Sequence, residues 1–423
     1  MKPKHLLHPI QTAKKAKALF TIWLEMWKFA NHSELRFKGD HRYDLQNVTD
    51  GFASRIDTTD DDTELLERIC AAYSKANERL QSAPVAYRPT HRWEQIRQQS
   101  LGPVVQALLT RDIPALRAMY RNFFRDACSS GLLGAPFGLA KAYFGGNIKD
   151  LHRRFYLSHA LYRYDYWKEQ TDGRFPLRDL YGPGVGNPFG VQIDGTHIHV
   201  GAEYAHYCAH RIDSMLSAGR ATVVEFGGGY GNMAYYLLRD RPELTYIDFD
   251  VPESIALSSY YLLKAFPSLE FLLYGEEELT CPAIARADVI LMPAFEIAAI
   301  PAASIDVSFS SDGISALSED APKAYLKDID RITCDSFFCI GKKPTSESIS
   351  ELIAREHASF QLAETRSSGW HSHKISGAGV GGEAGLAAST MFEQHYRRLL
   401  SHEPPQEVAL AGQNRTEVRS PPN

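Results

Sequence analysis

The sequence predicts an α/β fold: a mostly parallel sheet with helices on both faces, preceded by a mainly helical region. Three observations predict it. From Glu203 onward, short apolar runs alternate with helical stretches, the order of βαβ units. Through residues 1–200 apolar residues instead recur at helical spacing. Between a strand run and a helix run falls a glycine-rich turn, in VVEFGGGYGNMA at Val223–Ala234.

The elements follow in order. Leu19, Ile22, Trp23, Met26, Trp27 and Ala30 repeat at helical spacing, and Glu25 and Lys28 interrupt the run, so a packed amphipathic helix is expected rather than a signal peptide. Helices are expected at Asp62–Lys75, Trp93–Leu109 and Ile113–Phe124, and looser Gly-rich stretches at Ser129–Gly146 and Asp172–Gly195, the kind of loop that lines a pocket. The core then reads Ala221–Phe226 strand, Asn232–Asp240 helix, Thr245–Phe249 strand and Glu253–Ala265 helix. Asp288–Met292, Ile305–Phe309 and Ser336–Ile340 are further strands, and Leu269–Tyr274 is a strand or an irregular connection. Ser318, Glu319 and Asp320 make a helix start, with Ala324, Tyr325, Ile329 and Ile332 on the buried face. The polar tail 403–423 is expected to be disordered. The division expected is a helical accessory region over 1–200, an α/β domain over 201–402 and the tail.

Composition narrows the function classes. Of 423 residues, 44% are hydrophobic and 23% charged, values of an ordinary globular chain. A formal net charge of -5 with no long Lys/Arg run excludes a phosphate-neutralising nucleic-acid groove. The six cysteines are scattered without a CxxC pair, and no third ligand accompanies His371 and His373, so no metal is expected and a reduced, cytoplasmic setting fits. Ile284–Ile305 is apolar but carries Arg286, Asp288 and Glu296, which argues against a membrane span. The partner expected is a small molecule, and a homodimer is compatible with the sequence.

The glycine loop carries the chemistry. Gly227, Gly229 and Gly231 can take positive φ and let backbone approach a ligand. Glu225 lies on the strand just before them, where a carboxylate can accept from a ligand amine or the loop amides. Asp248 and Asp250 fall at the end of the next strand, where one carboxylate can hold both ribose hydroxyls. Asp250 is the choice, because Val251-Pro252 leads directly into the helix. A dinucleotide reading competes, since Gly229, Gly231 and Ala234 also satisfy GxGxxA. The glutamate at the strand end and the glycines shifted upstream favour S-adenosylmethionine.

These residues resemble the bacterial sugar O-methyltransferase family, within the class I S-adenosylmethionine-dependent methyltransferases. The resemblance takes in EFGGGYGNMA, the segment YIDFDVPESIALSSYYL, the GNPFG turn at Gly186–Gly190 and the helix with Tyr204, His206 and Tyr207, and covers roughly Gly186–Ile340. It implies a Rossmann-like class I methyltransferase core and methyl transfer to a sugar hydroxyl, with N-methyl transfer or NAD-dependent oxidoreduction as alternatives. Two departures stand out: Ser310-Ser311-Asp312 replaces an expected Asn-Thr-like pair, and the pre-core helix opens Ala202-Glu203-Tyr204 without a basic residue.

Methyl transfer needs an acceptor held in near-attack geometry, and a hydroxyl acceptor gains from a general base. His206 is one base candidate, sharing a helical face with His210. Asp312, just past the fourth strand of the core, is the other. Asn187, Tyr204, His210, Trp370 and His371 are the acceptor-binding candidates, with the Trp370 indole offering a stacking face.

Overall fold

The computed structural model describes residues 9–56, 61–133, 148–311, 313–314, 321–357, 359–371 and 391–399. Its centre is an eight-stranded sheet. In chain order its strands are β3 (Thr222–Phe226), β4 (Thr245–Asp250), β5 (Phe271–Leu273), β6 (Val289–Pro293), β7 (Ile305–Ser311), β8 (Thr333–Lys342), β9 (Phe360–Ser368) and β10 (Met391–Arg398). A separate hairpin, β1 (Gly190–Ile193) and β2 (Thr196–His199), precedes it. The spatial order is β5-β6-β4-β3-β7-β8-β10-β9. Pairings from β5 to β8 are parallel, and β10 runs antiparallel between β8 and β9. This is the mostly parallel, Rossmann-like sheet with helices on both faces that was expected, preceded in sequence by a mainly helical region.

Strand alternation explains the layering. In β3, Val223 joins the apolar cluster on one face and Val224 the cluster on the other, and Tyr246 and Ile247 of β4 divide in the same way. One face is covered by helices Ala202–Asp213, Asn232–Asp240 and Pro252–Ala265 together with the N-terminal helices, the other by Cys281–Arg286, Ala321–Ile332 and Lys343–Glu356. Strands buried on both sides read as continuous apolar runs, which is why β3, β4 and β6 were visible in sequence.

The N-terminal region is pinned by two buried carboxylates. Asp62 heads helix Thr63–Leu80, where it accepts from Arg117 Nε at 2.5 Å and Arg121 Nε at 3.1 Å in place of a side-chain cap. Glu253, at the start of the helix after β4, accepts from Tyr73 Oη at 2.9 Å, Trp93 Nε1 at 3.2 Å and Arg97 Nε at 2.9 Å. Asp62→Asn is expected to lower unfolding stability by about 2–3 kcal/mol, the scale of hydrogen bonds to charged groups. It would be read as a lower urea midpoint at unchanged slope; an unmoved midpoint would show that Asp62 is not the anchor.

Two expectations need correction here. The first helix spans Pro9–Arg36, but only Met26 and Ala30 of its apolar stripe are buried; Trp23 is 48% and Trp27 43% exposed. The Trp93–Leu109 helix is broken into His91–Ile96, a π turn at Arg97–Leu101 and Gly102–Thr110, because Gly102-Pro103 removes a backbone donor where the ladder would continue. The helix start at Ser318 and the tail 403–423 lie outside the described residues. Among the described residues no helix is long and apolar enough to cross a membrane.

Candidate active site

β3 and β7 are neighbours, while the chain leaves β3 in the opposite direction toward β4, so the crevice at their carboxyl ends is a topological switch point. The glycine loop lies there. Gly227, Gly229 and Gly231 take φ of 85°, 63° and 90°, and Gly231 caps helix Asn232–Asp240. At Gly229 a Cβ would also stand 3.3 Å from the Leu132 carbonyl oxygen, so positive φ and close approach coincide.

The two acidic positions separate in role. Asp248 is fully buried; its Oδ1 accepts from the Gly228 backbone N–H at 3.1 Å and its Oδ2 has no hydrogen-bond partner among the described residues. Asp250 Oδ2 accepts from Gly229 N–H at 3.1 Å and Ser254 Oγ at 2.5 Å, and Oδ1 accepts from Val251 N–H at 2.7 Å. Asp250, not Asp248, lines the cavity.

Gly131 and Leu132 lie across the loop, and two chambers open on it. The first, about 520 Å³, is lined by Asp250 with Phe226, Phe249, Tyr325 and Trp93. The second, about 480 Å³, is lined by Glu225, Tyr204, Ser311, Trp370, His159 and Arg163. Both volumes fall in the range of small-molecule sites. Glu225 accepts from Tyr246 Oη at 2.5 Å; burial raises its pKa, the Tyr246 bond opposes that, and the nearby Asp250 charge adds to it. Burial likewise raises the Asp250 pKa, against the lowering effect of its three hydrogen bonds. The loop is thus flanked by two carboxyls, the buried Glu225 in one chamber and the half-buried Asp250 in the other.

The acceptor-side candidates divide. Tyr204 and Trp370 meet in the second chamber: the Tyr204 hydroxyl is 2.7 Å from Ser311 Oγ at the end of β7, and its ring lies 5.4 Å from the buried Trp370 indole. His206 and His210 do not reach this chamber. Two residues along a helix turn the side chain by about 200°, so His206 points away from the face that carries Tyr204 and Cys208. It lines a third cavity of about 760 Å³ with His210, Phe175 and Arg239, and its Nδ1 accepts from Trp167 Nε1 at 3.2 Å. Burial lowers its pKa to about 4, leaving a neutral packed histidine. Asn187 is a structural residue as well: at φ 57° it accepts from Arg55 N–H at 2.8 Å and donates to Asn122 Oδ1 at 2.7 Å, so its amide is committed. Asp312 and the side chain of His371 lie outside the described residues.

Sequence reasoning missed Arg163, His159 and Ser311 as wall residues. The first two sit on helix Asp150–Gln170, where Tyr156, His159, Ala160 and Arg163 follow i, i+3, i+4, i+7 spacing and share a face. A polar-aromatic stripe on an otherwise buried helix was the available signal. Among the described residues no three His, Cys, Asp or Glu side chains converge on a metal position.

No family model matches the chain, and no curated protein matches it. Solved structures similar to part of it include a SAM-dependent methyltransferase from Aquifex aeolicus, 14% identical over 45% of this chain and 89% of that one, with a TM-score of 0.29. Precorrin-6y C5,15-methyltransferase from Geobacter metallireducens is 10% identical over 49% and 91%, TM-score 0.29. Magnesium protoporphyrin IX methyltransferase from Synechocystis, with bound SAM, is 11% identical over 57% and 97%, TM-score 0.30. At those scores the likenesses carry no argument about activity, and the functional reading rests on the site.

Proposed function

We propose that this protein transfers a methyl group from S-adenosylmethionine to a small molecule, at a hydroxyl of a sugar or sugar-bearing acceptor. The observation that carries the reading is the pair of carboxyls on either side of Gly229, buried Glu225 and half-buried Asp250, each in its own chamber, at the switch point of the sheet. In this reading Asp250 holds the ribose hydroxyls, with Phe226, Phe249 and Tyr325 around the base, and Glu225 accepts from the α-amino group. When bound, the cofactor supplies an electrophilic methyl group on a sulfonium.

What remains for the protein is positioning, which can contribute roughly 7–11 kcal/mol. Tyr204 and Ser311 offer hydroxyls at the end of β7, and Trp370 offers an aromatic wall beside Tyr204. Asp312, next in sequence after Ser311, is the proposed base. N-methyl transfer would use the same chambers without it. The dinucleotide alternative fits less well: β10 inserts antiparallel beyond β8 where the classic dinucleotide fold continues with parallel strands.

Calorimetry with S-adenosylmethionine and NAD(H) tests the cofactor; tight NAD(H) binding without S-adenosylmethionine binding would overturn the assignment. Release of S-adenosylhomocysteine across a panel of sugars, sugar nucleotides and amines tests the acceptor. His206→Gln is expected to leave cofactor affinity and turnover within about twofold, since its ring faces another cavity and distant sites act independently. A tenfold fall in turnover at unchanged thermal midpoint would return His206 to the active site.

A further inference from the structure

Arg163 projects from helix Asp150–Gln170 into the second chamber, with its side chain 14% exposed. Its Nε makes one long contact, 3.4 Å to Glu203 Oε2, and its guanidinium carbon stands 5.2 Å from the centre of the Trp370 ring. The two terminal nitrogens have no hydrogen-bond acceptor among the described residues. Arg42, with a side chain 18% exposed, by contrast bonds through all three guanidinium nitrogens, to Asp40 and Asp165. A guanidinium forms a planar fork matched to a carboxylate or a phosphate. That fork opens on the chamber without a protein acceptor among the described residues, and an anion entering the chamber would complete it.

Glu203 does not complete it. Its carboxyl is itself buried, which raises its pKa toward the neutral form against the pull of Arg163, and it meets only the Nε edge. The location decides which ligand group is involved. Trp370, under Arg163, also contacts Tyr204, whose hydroxyl reaches Ser311 at the end of β7. Arg163 therefore belongs to the wall beyond β7, while the carboxylate assigned to ribose lines the other chamber.

We infer that the acceptor carries an anionic group, a carboxylate or a phosphate, and that Arg163 binds it through its two terminal nitrogens while the Trp370 face supports the guanidinium. Neutral sugars would leave the fork unpaired and be poor acceptors. The inference rests on the methyltransferase reading for the word acceptor, but the anion site itself can be read without it.

The test uses the full-length protein with S-adenosylhomocysteine bound, titrated by calorimetry with acetate and with inorganic phosphate, in wild type, Arg163→Lys and Arg163→Met. Wild type is expected to bind one of the two anions at least tenfold more tightly than Arg163→Met, with Arg163→Lys between them. S-adenosylhomocysteine affinity should stay within twofold in all three, and the better of the two anions names the acceptor group. In turnover, glucuronate or glucose 1-phosphate should then be methylated in preference to glucose, and Arg163→Met should erase the preference. Equal anion binding in wild type and Arg163→Met, or none in wild type, overturns the proposal. So does a tenfold loss of S-adenosylhomocysteine affinity in Arg163→Met, which would assign Arg163 to the carboxylate of the cofactor itself. Failure of the wild type to bind S-adenosylhomocysteine overturns the methyltransferase reading instead, and the same anion titration without it still judges Arg163.

Discussion

Gly229→Val is expected to abolish S-adenosylmethionine binding, weakening it by more than about a hundredfold, while the protein stays folded. Two costs coincide at this residue. Its φ of 63° is left-handed, where an L side chain pays roughly 1–2 kcal/mol and a β-branched one more. A Cβ would also stand 3.3 Å from the Leu132 carbonyl oxygen, so the added methyls must project into the mouth of a chamber or push Leu132 aside. Either outcome closes the space a ligand needs and strains the Gly229 N–H bond to Asp250. Gly229→Ala should lie between, with the φ cost and one methyl's bulk. Calorimetry for affinity and circular dichroism for fold check both variants, and a normally binding Gly229→Val would show that the ligand does not approach this loop.

The parts of the site that were legible in sequence are those fixed by backbone conformation and strand period. Glycines at 227, 229 and 231 announce a turn because positive φ excludes most other residues. Glu225 and Asp250 announce themselves because an acidic residue in the last two positions of a strand before a loop lies at the sheet's carboxyl edge. β3, β4 and β6 were visible as dry apolar runs. β9 and β10 were not, because Phe360–Ser368 and Met391–Arg398 are mostly polar and carry neither a dry apolar run nor a period-two alternation.

The acceptor wall was less legible for a different reason. His206 and Tyr204 are two residues apart on one helix, and periodicity says only that they face apart; which of them meets the glycine loop depends on how helix Ala202–Asp213 is rotated on the sheet. That rotation is set by tertiary contacts, with His206 held among Trp167, Phe175 and Tyr236. Asn187 misled differently. Its place in the GNPFG turn reflects a left-handed backbone and amide bonds to Arg55 and Asn122, which are demands of the fold.

Glu225→Gln is expected to weaken S-adenosylmethionine binding by roughly 10–100-fold near pH 8, the scale of losing a hydrogen bond to a charged group, and at the same time to stabilise the free protein. Burial holds the Glu225 pKa up at about 7, against an ordinary 4.5. Between those values the folded carboxyl keeps a proton that the unfolded chain has already released, so the folded state binds more protons and stability falls as pH rises through the window. Glutamine has no proton to lose, and the variant's melting temperature should therefore decline less than the wild type's from pH 5 to pH 7.5. Ligand affinity runs the other way: an ammonium is held by the ionised carboxyl, so wild-type binding should tighten as pH rises through about 7. Glu225→Gln should flatten that rise, leaving the smaller slope contributed by Asp250, whose pKa burial also raises. A variant that is more stable yet binds more weakly would identify Glu225 as a charge kept dry for a cationic ligand. A variant that binds normally at pH 8 would reduce it to a partner for Tyr246, and the second chamber would lose its claim on the cofactor's amino group.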